Sequence, residues 1–406
     1  MKILFLTPQS PYPPRQGAAL RNYHLLQHCA SNHEVHLLTC LSPQDEEWPD
    51  PGLTKICSRV EGFRQPERSS YSRLLDSLLA IRPDMALRLE QDGFHSALQR
   101  MMAEENYDLV QVEGLEMAPY GFQVLNTAGG GPPVVFDAHN AEFLLQKRAA
   151  LMDARSPNRW HAACYSLLQW RKLYHYEKAF CQAVDGIVAV SEPDRRALSS
   201  LAGQTPTVSV PNGIEVSRYV PEPPPESSPP LLVFTGKMDY RPNVDAMLWF
   251  GLKVLPLISR HQRVRLQIAG MSPHQRLDRL RSLPDVELTG AVEDIVPYIH
   301  ASSIYLAPMR VGGGTRLKIL EAMACARPIV STSLGVEGIP VRDGEHLLIA
   351  DDPRSFADAV LSLLRDQAAG GSRSRALGEA ARAFVEHHFA WEKILPQMDA
   401  FHAQLT

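Results

Sequence analysis

The residues best suited to chemistry stand in one run, Arg310 to Glu321, "RVGGGTRLKILE". Gly312, Gly313 and Gly314 lead through Thr315 into a segment rich in strong helix formers. The free N–H groups of a helix's first turn, at the positive end of its dipole, attract anions. Glycines let a ligand come close to the backbone. Arg310, Arg316 and Lys318 add positive charge, and the combination suits a diphosphate. Glu321 lies further along the helix beside an apolar face, where a carboxylate can accept two vicinal hydroxyls such as those of a ribose. A nucleoside diphosphate satisfies both halves. A plain turn followed by a salt-bridged glutamate would not need so many aligned features.

Three other clusters stand where strands run into helices. "VVFDAHNAEF" carries Asp137, His139, Asn140 and Glu142. His139 could hydrogen-bond a sugar hydroxyl or assist a developing charge. Alternatively the cluster is capping, with Asn140 as N-cap and Asp137 bound to backbone. "LLVFTGKMDYRPNVDAMLWF" places Lys237 and Arg241 either as bases for a phosphate or as ordinary surface charges. "TPQSPYPPRQGAALRNYHLL" lacks the G-x-G-x-x-G of a dinucleotide fold but has Gly17 ahead of a helix bearing Arg21. That start favours an anion; a plain glycine helix start is the simpler reading.

These clusters need a scaffold that delivers strand ends to one place. The apolar runs "KILFL", "EVHLLTC", "DLVQVE", "PVVFDAHN", "DGIVAV" and "TVSVPNG" alternate with helical segments, and the alternation restarts at "LLVFTG", "RLQIAG", "VELTG", "SIYLAPM", "PIVSTS" and "HLLIAD". Continuous apolar strands alternating with helices imply parallel sheets covered on both faces, here twice. The expected fold is α/β, with two doubly wound Rossmann-like domains facing a cleft. The organisation is 1–218, a proline-rich linker 219–230 ("YVPEPPPESSPP"), 231–388, and a C-terminal helix 389–406 that could cross back to the first domain. Ligands of open α/β sheets bind beyond the carboxyl ends of the strands.

Composition narrows the class. A formal charge of −4 argues against a nucleic-acid partner. The six cysteines form no C-x-x-C pair, which suits a reduced, cytoplasmic protein with neither a disulfide scaffold nor a metal centre. The first residues read as a buried strand and not as a secretory signal, and no apolar run is long enough to span a membrane. The segment 158–180, with Trp160, Leu167, Leu168, Trp170 and Tyr174 among Arg159, Arg171, Lys172 and Lys178, reads first as a packed helix with a solvated face. A basic aromatic helix can also lie on an anionic membrane.

Taken together, "PPRQGAALRNYHL", "FDAHNAE", "AVSEPDR", "VPNGIE", "TGKMDYRPNVDA", "LTGAVEDIVPY", "GGGTRLKILEAMACARPIVST" and "GVEGI" resemble the retaining glycosyltransferases of the GT-B fold, in the large group four, over nearly the full length. The "GGGTRLKILEAMA" piece is similar to a branch found among polysaccharide and exopolysaccharide assembly enzymes. The resemblance implies a nucleotide-diphosphate sugar donor held mainly by the C-terminal domain. It implies a glycan or lipid-linked acceptor held by the N-terminal one, and hexosyl transfer with retained configuration at the inner face of the membrane. By position, Glu321 would bind the ribose hydroxyls and the Gly313–Thr315 turn would cradle the diphosphate. Lys237 and Arg241 would neutralise the leaving group. Backbone near Val292 would meet the base, His139 would touch the transferred sugar, and Gly17 would border the phosphates. His139, Lys237 and Glu321 are thus the catalytic candidates. The family has an earlier glutamate where this chain has Gly313, and usually an arginine where it has Lys237. No metal or other cofactor is implied, so bases and a helix terminus would stabilise the leaving group. Two alternatives remain open: a sugar-nucleotide epimerase of the same architecture, and a non-catalytic nucleotide-binding subunit of a glycan assembly complex.

Overall fold

β1 (Lys2–Thr7) lies between β2 (Glu34–Leu41) and β4 (Leu109–Glu113), parallel to both. β3 (Arg59–Arg64), β5 (Val134–Ala138), β6 (Gly186–Ala189) and β7 (Thr207–Ser209) complete a seven-stranded parallel sheet in the order β3-β2-β1-β4-β5-β6-β7. Every residue of β4 and β5 is buried, as a central strand covered on both faces requires. β8 (Leu231–Thr235), β9 (Arg265–Ala269), β10 (Val286–Gly290), β11 (Ile304–Ala307), β12 (Ile329–Ser331) and β13 (Leu348–Ile349) form a second parallel sheet, ordered β10-β9-β8-β11-β12-β13. Each order reverses once, between β1 and β4 and between β8 and β11. A doubly wound sheet opens its binding crevice at that reversal.

The computed structural model describes the chain except residues 15–16, 44, 46–47, 70–75, 77–78, 155–159, 224–226 and 313–315, and the side chains of 160–162. It packs as two units, Met1–Asn212 with Ile394–Thr406, and Gly213–Lys393. Both are Rossmann-like α/β domains. The passage between them comes ahead of the proline-rich stretch, whose start packs within the second unit. Tyr219 is buried, and Arg327 Nη2 donates to the Glu222 carbonyl at 2.8 Å.

The C-terminal helix, Trp391–Leu405, returns its residues from Ile394 onward to the first unit. Phe401 and Leu405 lie on Gly186 of β6, where a Cβ would stand 2.7 Å from Leu405 Cδ1 and 2.8 Å from Phe401 Cζ. His28 Nε2 and Asp399 Oδ2 are 2.7 Å apart.

The helix Trp160–Ala183 buries Ser166, Gln169, Leu173, Glu177, Phe180 and Cys181 at helical spacing, so it is a packed helix. Tyr165 and Leu167 remain exposed on its outer side. Among the described residues no helix is long and apolar enough to cross a membrane.

Candidate functional site

In the second unit the chemistry gathers at the carboxyl ends of β8 and β11. β8 is followed by Gly236, at φ 148, ahead of Lys237 and the helix Arg241–Trp249. From that helix the buried Asn243 donates to the Lys237 carbonyl at 2.8 Å and accepts from Lys318 Nζ at 2.8 Å. Lys318 belongs to the helix Leu317–Ala324, and its ammonium lies 4.1 Å from the Phe234 ring centroid, a cation–π contact. A Cβ at position 236 would stand 2.6 Å from Lys318 Nζ and 2.8 Å from Asn243 Nδ2, so only glycine leaves the three groups room. Burial, with the charge of Arg316 beside it, brings the Lys318 ammonium down to about 7, with Glu321 opposing the shift. Lys318 therefore holds a poised positive charge at the topological switch point.

One turn along the same helix, Glu321 Oε1 accepts from the Tyr219 hydroxyl at 3.1 Å. Burial raises the Glu321 carboxyl above its ordinary value, against Tyr219 and Lys318, which both favour the charged form. Arg218 sits over the Tyr219 ring at 5.8 Å and pairs with Asp294 at 2.9 Å. Tyr219 thereby fixes one oxygen of the Glu321 carboxylate.

The remaining expected groups of this unit take different places. Lys237 is exposed and 3.6 Å from Asp239. Arg241 begins its helix, and Val292 lies in the turn after β10. Arg310, expected to add positive charge, is clasped by Asp245 through two contacts of 3.0 and 2.9 Å and lies over Trp249. Arg316 is 7% exposed and its guanidinium faces Gly312 and the Val311 carbonyl, 3.4 Å away. Gly312 has φ 115, a left-handed value that glycine tolerates. Gly313, Gly314 and Thr315 lie outside the described residues.

In the first unit, β4 ends in Glu113 opposite Asp137 of β5, and His139 follows two residues on. Glu113 is wholly buried and its Oε2 lies 3.0 Å from His139 Nε2. Gln111 Nε2 donates to Oε1 at 2.7 Å. Asn22, its amide oriented to satisfy both acceptors, donates to Oε2 at 2.8 Å and to the Ala18 carbonyl at 3.1 Å. Burial works against the His139 imidazolium, but the hydrogen bond and charge of Glu113, with the charge of Asp137, outweigh it and raise the imidazole's value. His139 borders a cavity of about 320 Å³ with Pro8, Gln9, Gly17, Arg88 and Glu116.

Two readings of this unit are corrected. Arg21 is not placed to meet a donor. It is 1% exposed, holds both oxygens of Asp137 at 2.9 and 3.0 Å, and donates to the Val210 carbonyl at 3.0 Å, tying β5 to the end of β7. Asn140 is not the N-cap of the helix Glu142–Ala154. Glu177 accepts from the backbone amides of Glu142 and Phe143, at 3.0 and 2.8 Å, and Asp194 from that of Ala141, at 3.1 Å. Glu113, Asn243 and Tyr219 were not among the expected site residues. Their only sequence signal was polarity beside a strand or helix end.

Comparison with known proteins adds the family context. Residues 15–218 match the profile described as Glycosyltransferase Family 4, and residues 229–366 the one described as Glycosyl transferases group 1. A phosphatidyl-myo-inositol mannosyltransferase of Mycobacterium leprae is 24% identical over 300 residues, 71% of this chain and 73% of its own. An uncharacterised 44.6 kDa protein in the cps region of Klebsiella pneumoniae is 23% identical over 405 residues, 97% of each chain. Among solved structures, sucrose-phosphate synthase from Thermosynechococcus elongatus superposes with a TM-score of 0.74 at 18% identity, covering 100% of this chain and 99% of that one. Anabaena HepE, crystallised with UDP and glucose, superposes with a TM-score of 0.65 at 18% identity over 100% of both chains.

Proposed function

The chain belongs to glycosyltransferase family 4, and on that premise we propose that it moves a hexosyl group from a nucleotide-diphosphate donor to an acceptor hydroxyl with retention of configuration. The acceptor is a glycan or lipid-linked glycan of polysaccharide assembly. The observation carrying this reading is the pairing of Lys318 on Asn243 with Glu321 on Tyr219, one helical turn apart at the switch point of the second sheet. A cation and a hydroxyl acceptor at that spacing suit the diphosphate and ribose of one nucleotide.

As the glycosidic bond breaks, negative charge grows on the diphosphate. Lys318 faces it, with Lys237, Arg241 and the first amides of the helix Leu317–Ala324 in support. These groups act without a metal ion. Glu321 anchors the ribose and backbone near Val292 the base, so the anomeric carbon is held still. Gly17 borders the phosphates. His139 touches the transferred sugar. No side chain in this set acts as a covalent nucleophile, so the acceptor hydroxyl attacks from the face the diphosphate leaves. A peripheral contact with an anionic membrane surface, through Tyr165 and Leu167, belongs to the same proposal. Co-sedimentation with anionic vesicles that weakens as salt is raised would support that contact.

The test is turnover of a panel of nucleotide sugars with and without glycan acceptors, with the product's anomeric configuration read by NMR. Nucleoside diphosphate should appear rapidly only when an acceptor is present, and the donor's configuration should persist in the product. Conversion of the donor alone into a second nucleotide sugar would overturn the reading, as would an inverted product. Binding without turnover across the panel would also overturn it.

A further inference from the structure

We infer that Glu113 is a positioning residue for this transferase: it fixes the orientation of the His139 ring and presents its Nδ1 atom to the sugar. The inference rests on the reading above that His139 serves the transferred sugar, and extends it to a residue buried beneath.

Three features carry it. Glu113 is the last residue of β4 and has no solvent exposure, yet among the described residues its ion-pair partner is the His139 imidazole alone. Burying a carboxylate against a histidine is costly unless the charge is used and every lone pair is met. Second, the carboxylate is held from three directions, by Gln111 Nε2, the Asn22 amide and His139 Nε2. It therefore acts as a fixed anchor and not as a mobile counter-ion. Third, with Nε2–H donated to Glu113, the ring's other nitrogen faces the turn at Gly114, where a Cβ would stand 3.5 Å from Nδ1. Gly114 has φ 78 and a Cβ there would also stand 2.8 Å from Glu116 Oε2, so glycine is what fits between the ring and that carboxylate.

A glutamine at 113 would fill the same volume and still meet one of the neighbouring amides. It would not hold a positive imidazole. The charged groups around the ring are Glu113 and Glu116 from β4 and its turn, Asp137 and Glu142 from β5 and the segment after it, and Arg21 from the helix Gly17–Ala30. Arg21 is consumed by Asp137, which leaves Glu113 as the charge in contact with the ring. With the upward displacement of His139, the imidazolium donates through Nδ1–H to a sugar oxygen.

Glu113→Gln tests this, with His139 followed by NMR in histidine-labelled protein and its signal assigned by loss in His139→Ala. In Glu113→Gln the His139 titration should fall by about one unit or more. kcat should fall roughly tenfold with donor KM little changed, and the alkaline limb of the kcat profile should move down with the titration. Glu113→Asp, which keeps the charge but retracts it, should keep the titration raised while kcat still drops, and it serves if the glutamine variant does not fold. An unmoved titration and an unmoved profile in Glu113→Gln, while His139→Ala abolishes turnover, would overturn this inference alone. If His139→Ala leaves turnover per folded molecule unchanged, the reading of His139 itself fails, whatever Glu113 does to its titration.

Discussion

Lys318 offers the sharpest handle on the donor site, because its charge is linked to what it binds. Its ammonium touches Asn243 and the Phe234 ring, neither of which carries charge, and burial brings it down to about 7 in the free protein. An anionic diphosphate beside it restores the preference for the charged form, by about 1–3 units for an opposite charge at contact distance. Below pH 7 the lysine is protonated with or without nucleotide, and its contribution to affinity is flat. Above pH 7 the free protein loses that proton and must regain it to bind, so the dissociation constant should rise roughly tenfold per pH unit. The rise stops at the pKa of the complex, after a total of about ten- to a thousand-fold. The nucleotide's own phosphate, ionising near pH 6, is fully charged in this window and contributes no slope. Isothermal titration of the best nucleoside diphosphate at pH 7 to 9, in buffers of different ionisation enthalpy, reads both affinity and proton uptake. About 0.4 to 0.9 proton should be taken up per nucleotide at pH 8, for shifts of about 1 to 3 units, and Lys318→Gln should abolish both uptake and slope while leaving nucleoside affinity alone. A flat profile in the wild type, or the same slope in Lys318→Gln, would refute the reasoning.

Other outcomes follow from the same geometry. Tyr219→Phe removes one hydrogen bond to Glu321 and should weaken nucleotide binding by about 0.5–1.5 kcal/mol, read by the same titration, without lowering the melting temperature appreciably. Gly186→Val should lower the melting temperature by several degrees, because its side chain would displace Phe401 and Leu405 of the C-terminal helix. Turnover should persist in excess EDTA if, as proposed, Lys318, Lys237, Arg241 and helix amides meet the leaving group; loss of activity restored by a divalent cation would count against that assignment.

The strands and their order of appearance were legible because buried parallel strands are continuous apolar runs, and β1, β5, β8 and β11 stand where such runs stand. Local spacing alone singled out Lys318 and Glu321, and both stand on the helix Leu317–Ala324. What spacing could not reveal is which polar groups the topology consumes. Arg21 reads as a base at a helix start, but Asp137, far along the chain, neutralises it in the core. Glu113 reads as the end of an apolar strand. Its bond to His139 exists because β4 and β5 are neighbours in register. Asn243 carries no spacing signal of its own, and only the meeting of two helix starts at the switch point puts it on Lys318. Tyr219 opens a stretch whose prolines suggested a connector, yet its ring is packed inside the second unit against Glu321.

The central claim is that the second unit binds a nucleotide by its ribose through Glu321. The most direct measurement is a cycle pairing Glu321→Ala with removal of the ligand's 2′ and 3′ hydroxyls, using the nucleoside diphosphate that most raises the melting temperature. The wild type should prefer the ribose form over the dideoxy form by at least roughly tenfold, each charge-assisted bond contributing about 1.5–3 kcal/mol. The account predicts that Glu321→Ala binds the two forms alike. An undiminished preference for the ribose form in folded Glu321→Ala would contradict it.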